Sequence, residues 1–269
     1  MKFIKWLLLA PLVASATEYE PWFTPPFEFQ GRMECRNEYS NSVQSPLGSF
    51  SKPTRDSSVH LGLAVTPWPN WNVEAELFFT HTSDIAFSYE AAWLTVRYAW
   101  LDDIAGDCVS WVTGVTLSFP SKRFLHELSF PYHGYANAQF HATCGKEWSC
   151  GSEWHTRLWA LAGYGMAEKG SPWLHGIGTY EYHFAPGALL GVFTEALYGF
   201  GHNDIVPFVP FTGYAFIGHR SIDLGCYIDY KIRYWGTLKV LGWYRVYAHN
   251  YTENNWGASL TALIPFSVI

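Results

Sequence analysis

Residues 27–39 read FEFQGRMECRNEY, and charge alternates with its absence along the whole run. Glu28, Gln30, Arg32, Glu34, Arg36 and Glu38 share one parity, while Phe27, Phe29, Gly31, Met33, Cys35, Asn37 and Tyr39 share the other. A period of two sends the two sets to opposite faces of an extended strand, and here one face is ionic. The period returns throughout the chain. In WNVEAELFFT, Val73, Ala75, Leu77 and Phe79 oppose Asn72, Glu74 and Glu76; in WLTVRYAW, Leu94, Val96 and Tyr98 oppose Trp93, Thr95 and Arg97. HTRLWALAGY sets Leu158, Ala160 and Tyr164 against His155, Arg157 and Trp159. LHGIGTYEYHF sets Tyr180 and Tyr182 against Glu181, and IDLGCYIDYKIR sets Leu224, Cys226 and Ile228 against Asp223, Asp229 and Lys231. With VHLGLAV, VSWVTGVTLSF, AQFHATCG, LLGVFTEALYG, LKVLGWYRVYAH, GASLTALIPF and the proline-interrupted VPFVPFTGYAF, thirteen segments read as strands.

Two-faced strands suit a soluble secreted β protein with a dry core, or a closed barrel with lipid outside and polar groups within. Composition favours the second: 19% of residues are aromatic and only 15% charged, against about 25% charged in average globular chains. The first residues, MKFIKWLLLAPLVASAT, place Lys2 and Lys5 ahead of an apolar run from Trp6 to Val13, followed by Ala14-Ser15-Ala16. These are the parts of an export signal, expected over residues 1–16, with residues 17–269 as one barrel domain. No later apolar run reaches the ~20 residues of a spanning helix, so a closed barrel, which satisfies every backbone group internally, is the remaining way across a membrane. A net charge of −6 without a basic stripe excludes a nucleic-acid partner.

The connections sort into short ones (TPWPN, LDDIAGD, APG, GHRS) and long polar ones (SNSVQSPLGSFSKPTRDSS, PSKRFLHELSFPYHG), as the periplasmic and extracellular ends of a bacterial barrel require. Trp71, Trp100, Tyr164, Trp173, Tyr198 and Trp256 fall near strand ends, where aromatic girdles meet the membrane interfaces. In these features the chain resembles the Gram-negative outer-membrane β-barrel proteins, including small porins and their enzymatic relatives, from about Phe27 to the C-terminus. It departs from them in running past Phe266 to Ile269, where such proteins end on an aromatic residue. The resemblance implies an all-β, transmembrane, antiparallel up-and-down barrel. Thirteen strands conflict with the even number that returns both ends to one side, so the Pro207 and Pro210 segment is discounted and twelve strands are expected, fourteen being the next choice.

A barrel of this kind points Glu28, Arg32, Glu34, Arg36, Glu74, Glu76, Arg97, Arg157, Glu181, Asp223, Asp229, Lys231 and Arg245 into its lumen. Neither sign dominates this set. The expected function is a porin-like channel passing small hydrophilic solutes across the outer membrane. Inward Trp93, Trp159, Phe193, Tyr227 and Trp243 favour the alternative of a closed structural or binding barrel. A hydrolase is the third reading; its candidates are His81, Asp84, His126, Glu127, His133, His202 and Asp204, in segments expected outside the cell, but no GxSxG occurs. No cofactor or metal is implied, since no His or Cys set has the paired spacing of a zinc site. LDDIAGD lacks the regular spacing of a calcium loop and reads as a turn. Cys144 and Cys150 bracket GKEWS and either bridge a tight turn or stay free.

Overall fold

The computed structural model describes residues 19–150, 153–207, 209–233 and 235–267, so the export signal expected over residues 1–16 lies outside it. Its strands are β1 (Glu28–Gln44), β2 (Phe50–Trp68), β3 (Trp71–His81), β4 (Ser88–Leu101), β5 (Ser110–Pro120), β6 (Asn137–Cys150), β7 (Glu153–Ala167), β8 (Trp173–Ala185), β9 (Ala188–Gly199), β10 (Arg220–Ile232), β11 (Gly236–His249), β12 (Tyr251–Glu253) and β13 (Trp256–Ser267). Twelve of them form one antiparallel meander, each paired with its neighbour in sequence. The sheet closes because β13 also pairs with β1, from Ser267 opposite Glu28 to Trp256 opposite Tyr39. Three-residue β12 continues the wall above this contact, with Glu253 opposite Ser42.

The pleat orients the alternating residues as their chemistry requires. Leu158 and Ile228 are about half exposed on the outer face (51% and 49%), while Glu74 on the inner face is 1% exposed. The outer wall is built of Leu, Val, Ile and aromatic side chains, and the ionic groups are kept off it, the arrangement that transmembrane barrels present to hydrocarbon. Both ends of the barrel sequence, Glu28 and Ser267, reach the same rim. That rim also carries the turns at residues 69–70, 102–109 and 186–187. Longer segments at residues 121–136 and 200–219 lie at the opposite rim.

Two expectations about connections are corrected. The polar stretch SNSVQSPLGSFSKPTRDSS is mostly strand: β1 and β2 stay paired up to Val43 opposite Phe50, leaving residues 45–49 as the turn. Backbone pairing needs no apolar side chains, and above the lipid band a polar hairpin is fully compatible with water. GHRS is not a turn of the short-loop rim; Gly218 and His219 end the long segment that contains Pro207 and Pro210, and that segment is no barrel strand.

At the long-loop rim the segments fold inward and supply the apolar packing that the lumen wall lacks. Val43, Leu128, Ile205, Tyr214, Ile217 and Tyr251 form one buried cluster. Phe78, Ala91, Phe124, Leu125 and Tyr132 form another. Asn250 ties these pieces together from a left-handed backbone conformation (φ 49°), which Asn tolerates better than most residues. Its side chain accepts from the Ile205 N–H (3.2 Å) and donates to Asp204 (2.7 Å) and the Gly218 carbonyl (3.1 Å).

Candidate functional site in the barrel lumen

The first described residues run into the barrel from the short-turn rim. Thr24 meets Thr66 (Oγ1 to Oγ1, 3.0 Å) near that rim, and Trp22 donates from Nε1 to Asp103 (2.9 Å). Arg97 donates to the Glu20 carbonyl (3.0 Å). Deepest is Tyr19, buried, with its ring 5.1 Å from that of His141 and 6.0 Å from that of His175. Tyr19, Trp159 and Leu161 make the third buried cluster, with Trp22 and Ile177 against it. Asp103, in the LDDIAGD turn, also accepts from Ser110 (2.6 Å) and the Glu147 N–H (2.7 Å); burial raises its pKa, but these donors and Lys146 outweigh that and hold it below the usual value.

The wall around this segment is ion-paired. Arg32 bonds Glu74, with Glu76 at 4.0 Å, and Arg97 lies 4.0 Å from Glu74. Arg36 meets Glu38 at 2.5 Å and stacks over Trp243 at 4.3 Å. Arg245 grips both oxygens of Asp223 (2.7 and 2.8 Å) and covers Tyr251 at 4.2 Å. Arg157 bonds Glu147 at 2.8 Å and sits between Trp22 and Trp154. Lys239 lies 3.5 Å from Asp229. Other carboxylates are held by hydroxyls and imidazoles: Glu90 by Thr80 and Tyr132, Glu181 by Tyr227, Glu34 by His60 and Glu195 by His175. Buried charges need such partners, because an ion without one costs several kcal/mol of desolvation.

Of the residues assigned to the lumen from sequence, Arg32, Glu34, Glu74, Glu76, Arg97, Glu181, Asp223, Asp229 and Arg245 are buried on the inner face, and Arg36 and Arg157 are half-buried there. Glu28 is half-buried and Lys231 exposed at the short-turn rim. The balance of charge read from sequence shifts accordingly: Lys231 and Arg233 are exposed near that rim, while Glu90, Glu147, Asp103 and Glu20 join the interior. Carboxylates are therefore in surplus. Glu90 escaped the parity argument because it is itself the extra residue of a β4 bulge: Phe78 pairs with Ala91 and Phe79 with Tyr89, and Glu90 and Ala91 are both buried. The turn expected between Cys144 and Cys150 is absent, since both lie in β6. Six residues of strand at ~3.3 Å each separate their Cα atoms by about 20 Å, far beyond disulfide reach, and Cys144 is a free thiol.

Two cavities remain beside the inserted segment. One, of about 340 Å³, lies below the Ser129–Tyr132 stretch and is lined by Glu38, His60, Glu90, Trp93, Trp173 and Arg245 among others. The second, of about 170 Å³, is lined by Trp159, Phe193, Tyr227, Lys239 and Trp243. Tyr19, Arg36, Ile177, Glu195 and Asp223 line both and form the neck between them. Large rings fit here because they lie flat on glycines of the next strand: Trp243 over Gly257, opposite it in β13, and Tyr227 over Gly191 in β9. A methyl carbon built on Gly257 would come within 2.0 Å of the Trp243 ring.

The residues considered for hydrolysis are spread along the long-loop rim, where Glu127 comes near Asp84 and His202 is exposed. Asp84 pairs with Lys52 (2.7 Å), His81 Nδ1 with the Ile85 carbonyl (3.0 Å) and Asp204 with Asn250. His126 is exposed. His133 is buried, its Nδ1 2.9 Å from the Ser171 carbonyl and its ring 5.1 Å from that of His219. Burial pushes the His133 imidazole down to about 3, the neighbouring His219 adding to the shift, and burial likewise pushes His219 to about 4. No cluster that could hold a metal ion occurs among the described residues.

No family profile and no curated protein sequence matches the chain. Its fold is similar to that of an outer membrane channel from Pseudomonas putida F1, with a TM-score of 0.65 at 10% identity over 94% of this chain and 100% of that one. NanC porin is similar at TM-score 0.55 and 12% identity, covering 88% of this chain and 100% of its own. KdgM porin reaches TM-score 0.51 at 10% identity over 86% of this chain and 98% of its own. With its apolar outer wall and ionic interior, the chain has the fold of the Gram-negative outer-membrane β-barrels on which porins and channels are built.

Proposed function

We propose that the protein is a channel for small hydrophilic solutes, which pass along the side of the lumen that the inserted segment leaves open. The observation carrying this reading is the pair of cavities that share Tyr19, Arg36, Ile177, Glu195 and Asp223 and so follow one another along that side. The pathway is lined by the charged groups of β1, β9, β10 and β11 together with Glu20, Tyr19 and the aromatic rings. The test is single-channel recording after reconstitution into planar bilayers: discrete steps of ion current are expected, and deleting residues 19–24 raises the step size severalfold. A bilayer that stays silent for both forms overturns the reading. It would favour a closed structural barrel, the reading supported by the buried clusters around Phe124 and Tyr214 at the opposite rim.

A further inference from the structure

Resting on that channel reading, we propose that the pathway selects small organic cations, positively charged amines, over anions, and that Glu195 is the carboxylate they meet at its neck. The two guanidinium groups that face the upper cavity are each engaged twice. Arg36 bonds Glu38 and lies on Trp243, and Arg245 grips Asp223 and lies on Tyr251. Neither presents a bare positive face to an entering anion, and each neutralises the acid beside it. Glu195 differs. Its hydrogen-bond partner is the imidazole of His175, 3.0 Å from Oε1, with the Arg36 and Arg245 guanidiniums facing it at longer range, and its side chain is 46% exposed, against 12% for Asp223 at the same neck. Glu90, held by the hydroxyls of Thr80 and Tyr132, lines the upper cavity with Glu195. With Glu38, Glu90, Glu195 and Asp223 against Arg36 and Arg245, carboxylates outnumber guanidiniums around the upper cavity, and inside low-dielectric walls such a surplus raises the local concentration of the opposite charge.

The rings supply the second half of a cation site. Phe193 and Trp159 line the lower cavity together with Glu195. Aromatic faces attract ammonium groups most strongly once water is stripped away. The chain's own cations already use this interaction in the same cavity, where Lys239 lies 4.6 Å from the Tyr227 ring and Arg36 over Trp243. A solute amine passing Glu195 would exchange its water for a carboxylate and a ring in one place. An anion finds neither.

The reversal potential across a planar bilayer under a potassium chloride gradient tests this, followed by replacement of potassium with tetramethylammonium. A permeability ratio for potassium over chloride of at least about three is expected, with tetramethylammonium also carrying current. Glu195→Gln should lower the ratio about twofold; Glu90→Gln, which keeps a side chain able to bond Thr80 and Tyr132, should lower it less. A heat-modifiable band in electrophoresis checks that each variant is folded, and if Glu195→Gln is not, Glu195→Ala, which should lower the ratio by a similar factor, takes its place. Current that is anion-selective, unselective or indifferent to Glu195 overturns the cation preference and leaves the channel standing. Absence of current in every form overturns the channel reading itself, and this inference with it.

Discussion

Trp243 lies flat across Gly257, so the room left in the lumen at this height depends on one missing methyl group. Gly257→Ala should lift the ring toward the neck and reduce single-channel conductance by roughly a factor of two, as expected where lining side chains set pore size, while the folded band is retained. Arg245 is a residue of the opposite kind, buried and bonded to Asp223 and Thr252. Arg245→Met removes one member of a buried pair and leaves the Asp223 carboxylate behind, which should cost about 3 kcal/mol. Urea unfolding in lipid vesicles measures this, and adding Asp223→Asn should recover part of the loss.

At the scale of elements, the inward-folded segments at residues 121–136 and 200–219 meet through His133 and His219, which face Trp173, Tyr214, Tyr251 and, at longer range, Arg245. Both imidazoles titrate below the ordinary His value near 6.5, so the folded arrangement binds fewer protons than the unfolded one. Its stability is complete above about pH 6.5 and declines as pH falls toward 4 and 3. Protease cleavage of these segments on intact vesicles should accelerate severalfold between pH 7 and pH 4, and His133→Asn should flatten that response. Much of the wall was legible in sequence, because an apolar outer face and an ionic inner one leave a period of two in Glu74, Glu76 and Arg97 against Leu77, Leu94 and Val96. Three things were hidden for identifiable reasons. The upper parts of β1 and β2 lie outside the apolar band and carry no hydrophobic alternation, and the β4 bulge opposite Phe78 and Phe79 takes Glu90 out of its parity. The inserted stretch from Tyr19 to Phe23 has no periodicity, and its partners Arg97, Asp103 and Arg157 come much later in the chain.

For the whole molecule, the medium sets the rules that a dry core sets elsewhere. Leu224 lies on the outer face near the middle of β10 and is 48% exposed. In a soluble protein Leu→Arg at such a site would be mild; here Leu224→Arg should cost about 2–4 kcal/mol, as cations facing the mid-membrane do, which unfolding in vesicles would read. The contact between β1 and β13 carries a consequence for assembly. On one side β1 finds its partners only in β12 and β13, and until that seam is sewn the molecule is an unfinished sheet with two raw edges, the form most open to wrong partners. The closing seam of this wall, from Glu28 with Ser267 to Tyr39 with Trp256, therefore forms only once β13 is in place.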